Sequence, residues 1–221
     1  MAVTLGEEIM LLSLDDESGA AKDRQSAGWA VAGGILLDLV MAGRVSVNAE
    51  RIRITDSTPT GTSLLDGRLE QLAAWAARSS KPRKVTDWLT KDHSKAVSAT
   101  IDSLRERGLV AEEQRKVLGL FPVKRYPEAD SSTERELRER LTAVVLHDAA
   151  PDDRTAGLVA LIHSAKLHRL AFPDVPRKQL APRMTEIAEG QWAGDSIREA
   201  IRNMQAAMVA VTVATTVVVA G

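Results

Sequence analysis

Cysteine is absent from this chain of 221 residues, which excludes a disulfide framework, a thiolate nucleophile and a Cys-ligated metal. The sequence also lacks a His-Glu-x-x-His zinc helix, a nucleophile elbow, a Gly-Lys phosphate loop and a dinucleotide glycine fingerprint. Of its four histidines, His163 and His168 lie five residues apart. That spacing is about 500° around one helix, so they do not share a face.

These absences predict a non-enzymatic protein. We expect no cofactor, no intrinsic metal and no turnover of phosphate, ester or glycoside substrates. Asp152 and Asp153, beside Pro151, form a carboxylate pair, but residues of this type at a helix start are typical of capping. An enzymatic activity without a recognisable motif stays open as an alternative.

Charge of one sign does not dominate the chain. Its net charge is −1, with 44% apolar and 27% charged residues, values typical of a globular protein. The length suits one large domain, 1–221. The start lacks the basic segment and long apolar run of a signal peptide, and we expect a cytoplasmic protein. The apolar stretch 203–221 favours a buried terminal helix over a tail anchor or a strand.

Hydrophobic periodicity predicts a mainly α fold, a single compact helical domain with a small N-terminal hairpin and a protruding apolar β-hairpin. The N-terminal hairpin is expected around Asn48-Ala49-Glu50. The predicted helices are 5–14, 25–41, a helix carrying Leu64 to Trp75, a short one holding Val85, Trp88 and Leu89, 94–107, 133–147, 154–167, 184–189 and one from Asp195.

The segment 81–126 has the helix, helix and hairpin order of a winged helix and concentrates positive charge. Its eleven basic and six acidic residues leave a charge of +5 in a chain of net charge −1. Anionic lipid head groups and nucleic-acid phosphates are both candidate partners for such a segment. A solvated surface of mixed charge is the alternative.

The hairpin from Val117 to Tyr126 is expected to place an apolar turn at the surface. Leu118, Leu120 and Phe121 lie at this turn, and its bracketing cations are Lys116, Lys124 and Arg125. An apolar tip ringed with cations suits insertion at a membrane interface or a contact in a homo-oligomer. A wing folded back on its own core is the third interpretation.

Several motifs resemble the Golgi phosphoprotein 3 family, in its bacterial type. The most specific is Pro59-Thr60-Gly61-Thr62-Ser63-Leu64-Leu65-Asp66, which is close to the family's Pro-Thr-Gly-x-x-Leu-Leu-Asp sequence. The opening Leu5-Gly6-Glu7-Glu8 to Asp16 and the Gly43-Arg44 pair before a strand are also similar, as are 104–110 and the helix at 158–162. The resemblance covers essentially the whole chain.

The resemblance implies a predominantly helical domain with an apolar β-hairpin. Eukaryotic members are cytosolic peripheral proteins that bind phosphatidylinositol 4-phosphate and hold glycosyltransferases by their cytoplasmic tails. The Trp and three Arg positions of their lipid pocket correspond here to Asp23, Ala32, Ser94 and Val97, so none matches. The nearby residues that could replace them are Arg24, Trp29, Lys91 and Lys95, joined by the hairpin cations Lys124 and Arg125.

These observations together predict a peripheral membrane-binding, adaptor-like protein on the cytoplasmic membrane face. Its expected partners are an anionic phospholipid membrane, further copies of itself and a protein client. The alternative is a winged-helix nucleic-acid-binding protein with 94–107 as its recognition helix. The polar residues of that helix include Ser94, Lys95, Ser98, Asp102 and Arg105, a sparse set in which a carboxylate would face the groove.

Overall fold

The computed structural model describes residues 3–14, 24–117, 121–127, 129, 131–189 and 195–219. Within these ranges the fold is mainly α, as predicted. The helices are α1 (Leu5–Ser13), α2 (Arg24–Met41), α3 (Ser63–Ala76), α4 (Val85–Glu106), α5 (Ser132–Leu146), α6 (Asp153–Ser164), α7 (His168–Ala171), α8 (Arg177–Glu189) and α9 (Asp195–Val219). That residues 1–221 form one domain stays a prediction.

The N-terminal hairpin is confirmed, and a third strand joins it. β1 (Val45–Asn48) pairs antiparallel with β2 (Arg51–Ile54), and β2 pairs antiparallel with β3 (Arg83–Lys84). Ala49 and Glu50 make the turn with positive φ angles. The second hairpin consists of β4 (Glu113–Val117) and β5 (Phe121–Arg125), also antiparallel.

One apolar core connects the helices with the small sheet. α1 is buried over its whole length, and α2 packs against both α1 and α4. Gly34 permits the close approach of α1 and α2, because an added Cβ would lie 3.0 Å from both Gly6 N and the carbonyl carbon of Leu5. α9 buries one face, which includes Ile201, Met204 and Met208. The terminal stretch thus forms the predicted helix and packs on the core at these positions.

The buried helix α1 contains two glutamates, and each has cationic partners from elsewhere in the chain. Glu7 closes a capping box with Thr4 and also accepts hydrogen bonds from Ser103 (2.8 Å) and Arg107 (3.0 Å). Glu8 pairs with Arg140 at 2.8 Å. Buried charges are tolerated when they are paired and hydrogen-bonded, so this network explains why a core helix carries two acids.

Asp38 of α2 extends the network to α6. It accepts a hydrogen bond from the backbone N–H of Leu5 (2.7 Å) and pairs with Arg154 at 2.8 Å. Burial raises the pKa of Asp38 to about 6, although Arg154 acts in the opposite direction. Arg154 therefore neutralises a carboxylate that would be costly to keep ionised among apolar neighbours.

The prediction of two helices between Val85 and Arg107 is wrong, because α4 is one continuous helix of 22 residues. Its buried positions continue through the expected break, where Asp92 is 2% exposed and pairs with Arg68 of α3. A buried carboxylate interrupts the apolar pattern without ending the helix. The segment 81–126 therefore lacks the turn between helices that a winged helix requires.

The helix predicted at 184–189 begins earlier than expected. α8 begins at Arg177, and Pro182 lies inside it. Pro182 is exposed, so water can hydrate the carbonyl that loses its helical hydrogen bond.

The predicted cap at the start of α6 is confirmed, because Asp152 is its N-cap and accepts a hydrogen bond from Thr155 N at 2.7 Å.

Candidate membrane-docking surface

Lys91 and Lys95 lie on the exposed face of α4, one turn apart, so their ammonium groups point to the same side of the helix. Among the described residues, no carboxylate forms an ion pair with either lysine. Asp87 and Asp102 lie on the same exposed face. This face of α4 therefore offers two free cations in a surface of mixed charge.

Trp29 lies on the other side of α4 from these lysines. It is only 5% exposed, and its ring packs against His93 with a centroid separation of 6.3 Å. His93 lies about 200° around the helix from Lys91, so the two lipid-binding candidates Trp29 and Lys91 are not brought together. Arg24 is the first residue of α2, five positions before Trp29.

The positions that correspond to the family's lipid pocket carry no cation. Ala32 is fully buried in the core, Ser94 is exposed and Val97 is half-buried. Asp23, the fourth position, lies outside the described residues. A phosphoinositide head group needs cations or donors at such positions, and the three described side chains provide at most one hydroxyl.

The second hairpin sets the two predicted cations of β5 opposite one amide and one acidic residue of β4. Lys124 pairs in register with Gln114, and Arg125 pairs with Glu113. Phe121 is the first residue of β5, opposite Val117. Leu118 and Leu120, the other two residues of the expected apolar tip, lie outside the described residues. Membrane insertion or subunit contact through this tip stays a prediction.

Part of the positive charge in 81–126 is neutralised within the fold. Arg105 bridges Asp102 (3.3 Å) and Glu112 (3.0 Å), and Arg107 binds Glu7 of α1. Arg83 stacks over the ring of Trp75 at 4.8 Å. Asp102 and Glu112 are already subtracted in the excess of +5. The loss of Arg107 to Glu7 is offset by the pairing of Asp92 with Arg68 of α3, so these ion pairs leave the excess unchanged.

A group of cations that belongs to no sequence motif lies on the three-stranded sheet. Arg51 and Arg53 of β2 and Lys84 of β3 are all exposed, and we call them the sheet-face cations. The pairing of Arg51 with Lys84 brings the two strands together. The alternation of Arg51 and Arg53 around Ile52 was visible in the sequence, but β3 is only two residues long and carries no strand pattern.

A cleft of about 240 Å³ lies between α3 and α4. Arg68 lines it, is buried, and is held by Asp92 and by the side chain of Gln71 (3.1 Å). Asp102 and Glu106 also line it. The cleft is thus lined by both positive and negative groups, and Arg68 is already paired with Asp92. The charges of the cleft therefore favour no single class of ligand.

His163 and His168 meet although, as their spacing predicts, they do not share a face of one helix. α6 ends at Ser164 and α7 begins at His168, so the chain turns and brings Nδ1 of His163 within 3.1 Å of Nε2 of His168. Burial lowers the pKa of His163, and Arg177 acts in the same direction. Burial also lowers the pKa of His168 to about 4, with the His163 ring and Arg177 adding to the effect. In the part of the chain that the structure describes, no group of three or more His, Asp or Glu side chains is arranged to hold a metal ion.

The residues that carry the family resemblance organise loops. Asp66 accepts hydrogen bonds from Thr60 N (2.6 Å), Thr60 Oγ1 (2.7 Å) and Gly61 N (3.3 Å). Burial alone would raise the pKa of Asp66, but these hydrogen bonds outweigh it and hold the pKa below its usual value. Arg44 joins Asp56 (3.0 Å) to the carbonyl of Pro59 (3.3 Å). The Gly-Arg and Pro-Thr-Gly motifs therefore build one loop structure before α3.

Comparisons with known proteins agree with this architecture. None of the helices searched, which are those of the described residues, is long and apolar enough to cross a membrane. No curated protein sequence matches the chain. The family model of Golgi phosphoprotein 3 (GPP34) matches residues 5–204, nearly the whole chain. The match includes the buried first helix, the Gly-Arg strand entry and the loop that precedes α3, and the chain belongs to the Golgi phosphoprotein 3 family.

Proposed function

We propose that this protein is a peripheral, non-enzymatic membrane protein that docks on anionic phospholipid. The observation that carries the proposal is membership of the Golgi phosphoprotein 3 family, which is membrane-associated and is not known as an enzyme family. The exposed, unpaired ammonium groups of Lys91 and Lys95 support it, because such groups attract anionic head groups.

The lipid we propose is a generic anionic phospholipid. The buried Ala32 and the uncharged Ser94 and Val97 stand where eukaryotic relatives are expected to bind a phosphoinositide. Of the residues expected to replace that pocket, Trp29 is in the core beside His93 and Lys91 faces the other way. Recognition by several separated surface cations fits this arrangement better than recognition by one pocket.

The proposal includes a homo-oligomer formed through the second hairpin, a protein client and a location on the cytoplasmic membrane face. β4 pairs with β5 up to Val117 opposite Phe121, and the proposed apolar turn joins these two strands. Burying a side chain such as Leu or Phe is worth about 1.5–3 kcal/mol. Leu118, Leu120 and Phe121 would then contribute several kcal/mol to docking or assembly.

Vesicle flotation tests the lipid proposal. The protein is mixed with vesicles of phosphatidylcholine alone or of phosphatidylcholine with phosphatidylglycerol, at about 0.1 M and about 1 M salt, where the Debye length is about 10 Å and about 3 Å. We expect it to float with the anionic vesicles at low salt and to be released at high salt. Equal binding to both kinds of vesicle, or binding to duplex DNA with none to lipid, would contradict the proposal.

A hairpin variant tests the apolar turn. Leu120→Ser with Phe121→Ser should leave the fold intact and should reduce oligomer formation, vesicle binding or both. The matched control is Leu146→Ser with Val209→Ser, at two apolar residues elsewhere that are 38% and 54% exposed. Light scattering and flotation then separate a subunit contact from membrane insertion. A large fall in melting temperature at constant oligomeric state would show that the hairpin belongs to the core.

A further inference from the structure

The small sheet carries its positive charge on one face. Side chains alternate along a strand, and Ile52, between Arg51 and Arg53, is buried against the core while both arginines are exposed. Lys84 stands directly opposite Arg51 in the register and is exposed as well. The sheet-face cations therefore project from the side of the sheet that faces away from the core.

The rest of this face is polar and uncharged. Ser46 and Asn48 of β1 stand opposite Arg53 and Arg51 in the register, so they share the face with the cations. Among the described residues, no carboxylate forms an ion pair with any of the three sheet-face cations. The nearest acid in the sequence is Glu50, in the turn, whose backbone N–H donates to Asn203 at 2.6 Å. The face is thus positive without an internal counter-charge.

The pairing of Arg51 with Lys84 costs stability in the isolated protein. Like charges directly opposite each other on adjacent antiparallel strands are destabilising. Arg51 is held in place by a hydrogen bond from its guanidinium to the carbonyl of Pro82, at 2.8 Å. A conformation that keeps two unpaired cations side by side is favoured once an anionic partner covers them.

This face is separate from the second hairpin. β3 leads directly into the first residue of α4, whereas the hairpin follows the last turn of α4. The helix has 22 residues, and at about 1.5 Å per residue it is about 33 Å long. The sheet and the hairpin therefore lie at opposite ends of α4, with Lys91 and Lys95 between them.

We infer that the outer face of the three-stranded sheet, through Arg51, Arg53 and Lys84, is a contact surface for an anionic lipid membrane. The inference rests on the proposed function and assigns it to residues outside both the family's pocket and the predicted hairpin. Charge complementarity selects the partner, since three unpaired cations with small polar neighbours match a layer of phosphate groups. A nucleic acid is the less suitable partner, because none of these side chains is an aromatic that could stack on bases.

The test replaces the three cations together, as Arg51→Gln, Arg53→Gln and Lys84→Gln, and compares flotation with vesicles of phosphatidylcholine and phosphatidylglycerol. The matched control is Arg169→Gln, Arg177→Gln and Lys178→Gln, three exposed cations on α7 and α8 that change the net charge equally. With about 1 kcal/mol per cation near the surface, the sheet variant should bind about 100-fold more weakly, and the control should bind nearly as the wild type does.

Thermal unfolding excludes a merely structural role. The sheet variant should keep or slightly raise the melting temperature, because it removes the repulsion between Arg51 and Lys84. Two results overturn the inference without contradicting the proposed function. In the first, both variants bind equally weakly. In the second, the wild type floats with anionic vesicles and the sheet variant binds as the wild type does. If the wild type does not float with anionic vesicles, both the proposed function and the inference are wrong.

Discussion

Replacing Arg154 with Met should expose how much the fold depends on its buried charge network. Arg154 donates to Asp38 Oδ1 at 2.8 Å and to the carbonyl of Val3 at 2.5 Å, and it lies 3.4 Å from Glu8. Removing one partner of a buried ion pair costs about 3–5 kcal/mol. Because the Arg154 side chain remains 27% exposed, we expect a loss near 3 kcal/mol at about pH 8.

The size of this loss should depend on pH. The pKa of Asp38 in the folded protein is raised to about 6, above its value of 3.8 in the unfolded chain. Below pH 6 the folded protein therefore already holds a protonated Asp38, and its contact with Arg154 is that of a neutral acceptor. At about pH 5 the loss should be smaller, because the contact with Asp38 is then worth about 1 kcal/mol, that of an ordinary hydrogen bond. The contacts of Arg154 with Val3 and Glu8 remain.

Urea unfolding at the two pH values measures both losses. Arg105→Met is the matched control, since Arg105 and its partner Asp102 are exposed and its second partner Glu112 is half-buried. Exposed pairs contribute about 0–1 kcal/mol. A loss below about 1 kcal/mol at both pH values, or one as large at pH 5 as at pH 8, would refute the reasoning.

Two further predictions follow from packing and titration. Gly34→Ala should destabilise the protein, because the new Cβ would lie 3.0 Å from backbone atoms of α1 and overpacking costs about 1–3 kcal/mol. At Gly67 nothing lies within 4 Å of an added Cβ. Gly67→Ala should therefore stabilise α3 by about 0.5–1 kcal/mol. Chemical unfolding of both variants checks the contrast, and a stabilised Gly34 variant would contradict it. His168→Gln should make the free energy of unfolding depend less on pH between about pH 7.5 and pH 4.5. The pKa of His168 falls from 6.5 to about 4 on folding, so the unfolded chain binds the proton first and the wild type loses about 2 kcal/mol through this group between about pH 7.5 and pH 4.5. An unchanged slope between those pH values in the variant would show that His168 does not titrate this way.

Local pattern was enough to predict most of the helices and the first hairpin. The nearly uncharged run before Gly43 predicted α2, and the alternation around Asn48-Ala49-Glu50 predicted β1 and β2. Asp152 beside Pro151 predicted the cap of α6. Each of these signals depends on residues a few positions apart, where the chain interacts with itself before any tertiary contact forms.

The candidate site was less accessible from the sequence. The residues Lys91 and Lys95 are exposed as a lipid contact requires, but Trp29 packs into the core on the other side of α4. The net charge of a segment does not show which of its charges pair with the rest of the chain: Arg107 binds Glu7 of α1, and Asp92 binds Arg68 of α3. A patch formed by neighbouring strands also depends on which strands pair, and β3 is too short to be predicted by pattern.

The sequence by itself determined the family, the mainly α class and the ends of most helices, because motifs, periodicity and caps are properties of neighbouring residues. Only the tertiary structure decided that α4 is continuous through Asp92, since the carboxylate finds Arg68 on another helix. It also brought His163 to His168 across a chain turn and set Arg51 beside Lys84. These outcomes depend on partners distant in the chain or on turns that pattern does not encode, so they follow from packing and electrostatic pairing in three dimensions.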